Sequence, residues 1–111
     1  MTRERRAFAR VELDLPASMY LYQMDMYHDG AIIDLSLGGC FLPVEGDIPL
    51  GEKCQLILTT GIGLETESVE IAGTIARCTA HGVGIKFSTG LSSRIKAILK
   101  KVMAEKLQID A

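Results

Sequence analysis

The sequence predicts a mainly β protein, a closed or nearly closed antiparallel barrel followed by a single α-helix. Three observations carry this reading. Short segments alternate apolar and polar residues with period two. Turn signals rich in glycine separate them. Only the last stretch repeats its apolar residues at three- and four-residue spacing.

The elements follow in order. Val11-Glu12-Leu13-Asp14-Leu15 alternates as a half-buried strand should, and Met19-Tyr20-Leu21-Tyr22 continues it or pairs with it after Pro16. His28-Asp29-Gly30 is predicted to be a turn, and residues 31–36 a strand. In that strand, period two puts Ala31, Ile33 and Leu35 on the inner face and Ile32, Asp34 and Ser36 on the outer wall. Gly38-Gly39 breaks the strand, residues 40–44 resume it, and residues 46–51 form a loop. Residues 53–60 read as a strand, and Thr60-Gly61-Ile62-Gly63 turns the chain. Val69, Ile71, Gly73 and Ile75 share one face of a long strand. Val83, Ile85 and Phe87 share one face of the last. Ile95, Ile98, Leu99, Val102, Met103 and Leu107 form the apolar stripe of a helix that Ser92 or Ser93 can cap. Arg94, Lys96, Lys100, Lys101 and Lys106 fall mostly off the stripe, as a solvated face over a barrel end.

Composition sets limits on function. With 111 residues, 48% of them hydrophobic and 23% charged, the chain fits one ordinary globular domain that folds without staples. A net charge of −2 argues against binding a nucleic-acid polymer, which needs a broad basic footprint. A small anion needs only a local cluster of positive charge. A barrel that binds single strands would want aromatic stacking platforms, and aromatics are 5% with no tryptophan. No stretch resembles a signal peptide or a bilayer-spanning segment, so no membrane insertion is expected and the expected compartment is cytoplasmic. Cys40, Cys54 and Cys78 show neither metal-ligand nor disulfide spacing and read as small buried hydrophobes. Catalysis is not expected: Cys40 with His28 or His81 has no supporting pattern, and Ser36 lacks a nucleophile elbow.

Two motifs carry chemistry. Arg6-Ala7-Phe8-Ala9-Arg10 spells R-x-x-x-R, with Arg5 beside it. A four-residue spacing puts Arg6 and Arg10 on one side in helical, turn or extended geometry, so both can clamp one anion. Asp34-Leu35-Ser36-Leu37-Gly38-Gly39 spells D-x-S-x-x-G. It offers a carboxylate, a hydroxyl, and backbone N–H groups near a tight turn, where Gly38 and Gly39 allow positive φ and close approach of a ligand. Arginines give paired donors to guanine O6/N7 or to phosphate, and a carboxylate accepts from guanine's N1–H and N2–H₂ edge. The set points to a guanine-nucleotide site.

In order and spacing, the two motifs resemble the signature of the PilZ domain family. Gly82-Val83-Gly84-Ile85-Lys86-Phe87 is similar to that family's late G-x-G-x-x-F strand. The resemblance runs from about Arg5 to the C-terminal helix. It implies a six-stranded antiparallel β-barrel with a C-terminal α-helix, spanning residues 11–111 behind a flexible basic arm of residues 1–10. It also implies a bacterial receptor or adaptor that binds cyclic di-GMP, needs no cofactor, and relays the signal to an effector protein, with outputs such as motility and biofilm formation. By position, Arg6 and Arg10 would grip guanine and phosphate, and Asp34 would take a guanine edge. Ser36 would bond guanine or phosphate, and Gly38 and Gly39 would admit the ligand to the backbone. Arg5 occupies the position that, in this family, influences how many ligand molecules bind. The alternative is a family-like interaction module in pilus assembly or motility that binds no nucleotide. Its members lack the arginines that this chain keeps.

Overall fold

The computed structural model describes residues 11–61, 64 and 66–110. The chain runs β1 (Val11–Leu21), β2 (Met26–Leu35), β3 (Gly39–Leu42), β4 (Lys53–Thr60), β5 (Glu67–Thr79), β6 (Gly82–Phe87) and α1 (Ser93–Asp110). The six strands close into an antiparallel barrel in the order β1-β2-β3-β6-β5-β4, with β4 returning to β1. The predicted arm, residues 1–10, lies outside the described residues.

The interior is filled by the alternating residues of each strand. Leu15, Ala17, Met19 and Leu21 from β1 meet Leu56 and Leu58 from β4. Val69, Ile71 and Ile75 from β5 and Val83, Ile85 and Phe87 from β6 join them, as their period-two spacing predicts, with Ile32 and Leu35 of β2 and Cys40 and Leu42 of β3. Burying each Leu, Ile or Val contributes about 1.5–3 kcal/mol. The helix begins where Ser92 Oγ accepts a hydrogen bond from the Ile95 N–H at 3.2 Å, the predicted cap. Leu99 is fully buried, and Ile95, Ile98, Val102 and Met103 pack against the core. Arg94, Lys96, Lys100 and Lys101 are exposed. Among the described residues no helix is long and apolar enough to cross a membrane.

Two expectations are corrected. His28-Asp29-Gly30 is not a turn: these residues pair with Met19, Ser18 and Ala17 inside the β1–β2 ladder, and Ser18 Oγ donates to Asp29 Oδ1 at 2.6 Å. The chain reverses at residues 22–25 instead, where Asp25 takes a positive φ of 51°. β3 ends at Leu42 rather than Val44. Of the two readings open after Pro16, continuation is the one found: Val11–Leu21 is one strand.

The inner face of β2 also differs. Ile32 and Leu35 are fully buried, while Ile33 is 45% exposed. A register shift between Glu12 and Leu15 sets three steps of β1 against two of β2. The inward face passes across it from Leu35 to Ile32. A bulge of this kind breaks period two, and the strict alternation assumed from sequence cannot cross it.

Candidate functional site

The D-x-S-x-x-G segment lies where β2 ends and β3 begins. Asp34 is half-buried on the outer wall, paired in register with Glu12 of β1 and Phe41 of β3. Ser36 is buried. Its hydroxyl oxygen accepts hydrogen bonds from the N–H groups of Gly38 (3.1 Å) and Gly39 (3.2 Å). The hydroxyl itself donates to the Gly39 carbonyl at 3.3 Å, which the Ser36 N–H also reaches at 2.9 Å. The side chain therefore builds the turn. The backbone N–H groups that the sequence offered to an anion are the ones that Ser36 engages.

Gly39 has a reason other than ligand access. It is not in the positive-φ region, and a β-carbon there would collide with the Ile85 carbonyl oxygen of β6. The Gly38 carbonyl accepts from the Phe87 N–H at 2.9 Å. The motif turn is thus clamped onto β6, and that clamp fixes where β2 presents Asp34.

A cationic group stands three strands from Asp34. The Arg77 guanidinium of β5 lies over the Phe41 ring, 6.0 Å from its centroid. Lys86 is exposed on β6, in register with Gly39. Sequence reasoning missed Arg77 and Phe41. The available signal was parity: alternation from Val69 through Ile75 would carry Arg77 into the core, where an unpaired charge does not go.

Arg5, Arg6 and Arg10 lie outside the described residues. The chain that follows Arg10 does enter the site: Val11 pairs with Leu35, and Glu12 with Asp34.

Two of the three thiols are held in their neutral form by burial. Cys40 and Cys54 are buried, Cys78 is half-buried, and all three are free. Burial first, then the proximity of Cys54 and Asp34, pushes the Cys40 thiol far above its usual range. Burial and nearby Glu52 raise Cys54 to about 11. A nucleophilic cysteine needs the opposite shift. Among the described residues no cluster of His, Cys, Asp and Glu could hold a metal ion.

The chain's three tyrosines gather elsewhere, on the β1–β2 hairpin. Tyr20 packs edge-on against Tyr22 and tilted against Tyr27, at 5.2 and 4.7 Å between centroids. Asp25 bonds Tyr20, and Glu70 is linked to Tyr22 through Gln55. An aromatic patch edged by carboxylates does not suit a polyanion.

The model of the family described as PilZ domain matches residues 4–105, a span that includes both motifs. The chain belongs to the PilZ domain family. Solved PilZ structures share its fold. The Bacillus subtilis inhibitor of motility MotI (DgrA) superposes with a TM-score of 0.77 at 16% identity, covering 96% of this chain and 53% of that one. This chain therefore spans about half the length of MotI. The PilZ domain of YcgR from Escherichia coli, solved with c-di-GMP, superposes with a TM-score of 0.73 at 13% identity, covering 96% and 95%. A search of curated proteins finds no significant match.

Proposed function

We propose that this PilZ domain binds cyclic di-GMP on the outer wall of the barrel beside the β2–β3 turn, and passes the bound state to a partner protein. The observation that carries the reading is the turn itself. Gly38 and Gly39 are bonded to β6 and Ser36 braces them, so Asp34 is held at a fixed place on the wall, next to the strand that Arg10 leads into. A preorganised acceptor beside an arginine-rich segment matches a ligand with guanine edges and two phosphates.

Each residue then has a task. Arg6 and Arg10 donate paired N–H bonds to phosphate and guanine, and Arg5 adds charge and a plane that can stack on a base. Asp34 accepts from N1–H and N2–H₂ of one guanine. Ser36 acts through the turn, holding Gly38, Gly39 and Asp34 in place. Ordering the arm costs conformational entropy, which the charge-assisted bonds must exceed. The arm closed over the ligand is the new surface a partner would read. The role is that of a receptor in the compartment where the messenger is made, the cytoplasm, and not of an enzyme. Family membership and the raised Cys40 and Cys54 thiols support that.

Calorimetric titration with cyclic di-GMP tests the reading. Saturable binding is expected, and Arg10→Ala or Arg6→Ala should cost about 2–5 kcal/mol of it while the apo melting temperature stays unchanged. Asp34→Ala should weaken cyclic di-GMP more than cyclic di-AMP, because adenine has no N1–H donor. Absence of binding by the unmodified chain would overturn the proposal in favour of an interaction module that uses no nucleotide.

A further inference from the structure

Arg77 is placed on the outer wall by a specific local device. Val69, Ile71, Gly73 and Ile75 all face the barrel interior, and unbroken alternation would send Arg77 there too. A register shift between Ile75 and Arg77 reverses the parity, and Arg77 emerges exposed. Bulges re-aim side chains in this way, and they concentrate beside binding sites.

The residue across from it is a glycine. Gly84 of β6 is the register partner of Arg77 on one side and of Phe41 on the other. A β-carbon at Gly84 would stand 3.5 to 3.7 Å from the Cβ, Nε and Nη2 atoms of Arg77. Those are ordinary van der Waals distances: the Arg77 side chain lies along Gly84 across β6, with its guanidinium over Phe41. Phe41 is in turn the register partner of Asp34. Asp34, Phe41, Gly84 and Arg77 thus form one row across four strands.

We propose that Arg77, backed by Phe41, is a base-stacking element of the nucleotide face. The inference rests on the cyclic di-GMP reading above and extends it to residues in neither motif. Adjacent strands are about 4.8 Å apart. A guanine held by its edge at Asp34 therefore extends over the next strand, onto Phe41 and the guanidinium above it. The guanidinium stands over the Phe41 ring, 6.0 Å from its centroid, and a planar cation there can take a purine on its face. Its N–H edge remains available to a phosphate of the same ligand.

The experiment is calorimetric titration of the full chain with cyclic di-GMP, comparing wild type, Arg77→Ala, Arg77→Lys and Arg10→Ala, with apo melting curves for each. Arg77→Ala should weaken binding about tenfold, within the range for losing one base-stacking partner, and leave the melting temperature unchanged. Arg77→Lys keeps the charge and lacks the plane, so it should recover little of the loss. In the wild-type complex, nuclear Overhauser contacts should join guanine H8 to the Arg77 Cδ protons, a readout that needs no variant to fold. Wild-type affinity in Arg77→Ala, with binding lost in Arg10→Ala, overturns the stacking role and leaves the nucleotide reading standing. Full recovery by Arg77→Lys overturns stacking in favour of plain charge. A wild-type chain that does not bind cyclic di-GMP overturns both.

Discussion

The two ends of β2 are both turns, and they are built in opposite ways. At residues 22–25 the chain reverses in the open. Asp25 takes a left-handed φ of 51°, the Tyr20 hydroxyl donates to its carboxylate at 2.7 Å, and Tyr22, Met24 and Met26 are exposed. At residues 36–39 a buried serine satisfies two backbone N–H groups, and the loop is pressed onto β6 without room for a methyl group. The first turn is fixed by local side chains and the second by the whole barrel. A motif residue can therefore be indispensable to a binding face without touching a ligand.

Substitutions sharpen the contrast, and the largest effect is expected at Gly39. Gly39→Ala drives a β-carbon into the Ile85 carbonyl, so either β3 or β6 must move. The expected cost is about 3 kcal/mol in urea unfolding, with ligand affinity lost alongside. Ser36→Ala leaves the Gly38 and Gly39 N–H groups in a half-buried turn without their acceptor, and should cost about 2 kcal/mol by the same measurement. If that variant kept both full stability and full affinity, the turn would not be what the serine serves.

At the other end, Asp25→Asn should scarcely move the neutral-pH melting temperature, because asparagine tolerates the left-handed region. It should register in the titration of Tyr20. The hydrogen bond to Asp25 is the largest cause holding that phenol above 10.0, followed by desolvation and the Asp25 charge. A raised value in the folded state means the stabilisation is full below the phenol's ordinary value and is lost as pH rises through the folded one. Ultraviolet absorbance of the phenolate should show Tyr20 ionising at lower pH in Asp25→Asn. Stability of the variant should also decline less steeply at alkaline pH.

The sequence was most readable where alternation ran unbroken. β4, the inward face of β5 as far as Ile75, β6 and the apolar stripe of α1 stand where periodicity predicts them. It was least readable at the bulges. The shift beside Glu12 inverted the expected faces of Ile32 and Ile33, and the one before Arg77 hid that residue from consideration. His28-Asp29-Gly30 carried turn chemistry, yet tertiary pairing with β1 overrode it. At the site, residue types nominated Asp34 and Ser36, but the task of Ser36 depends on β6, some 50 positions further along. No local pattern encodes that distance.

Barrel closure has a kinetic consequence. Two seams join residues far apart in the chain: β1 to β4, as in Ala17 with Leu58, and β3 to β6, as in Gly39 with Lys86. Neither can zip until the intervening chain has been laid down, and the entropy of closing those loops is spent before the contacts repay it. Such a topology folds on roughly the millisecond-to-second scale, far slower than a helical bundle of equal length. The β2–β3 turn opens onto the second seam. The segment that presents Asp34 is thus tied to a long-range closure, and a chain in which that seam is open has the motif in its sequence without the surface to display it on.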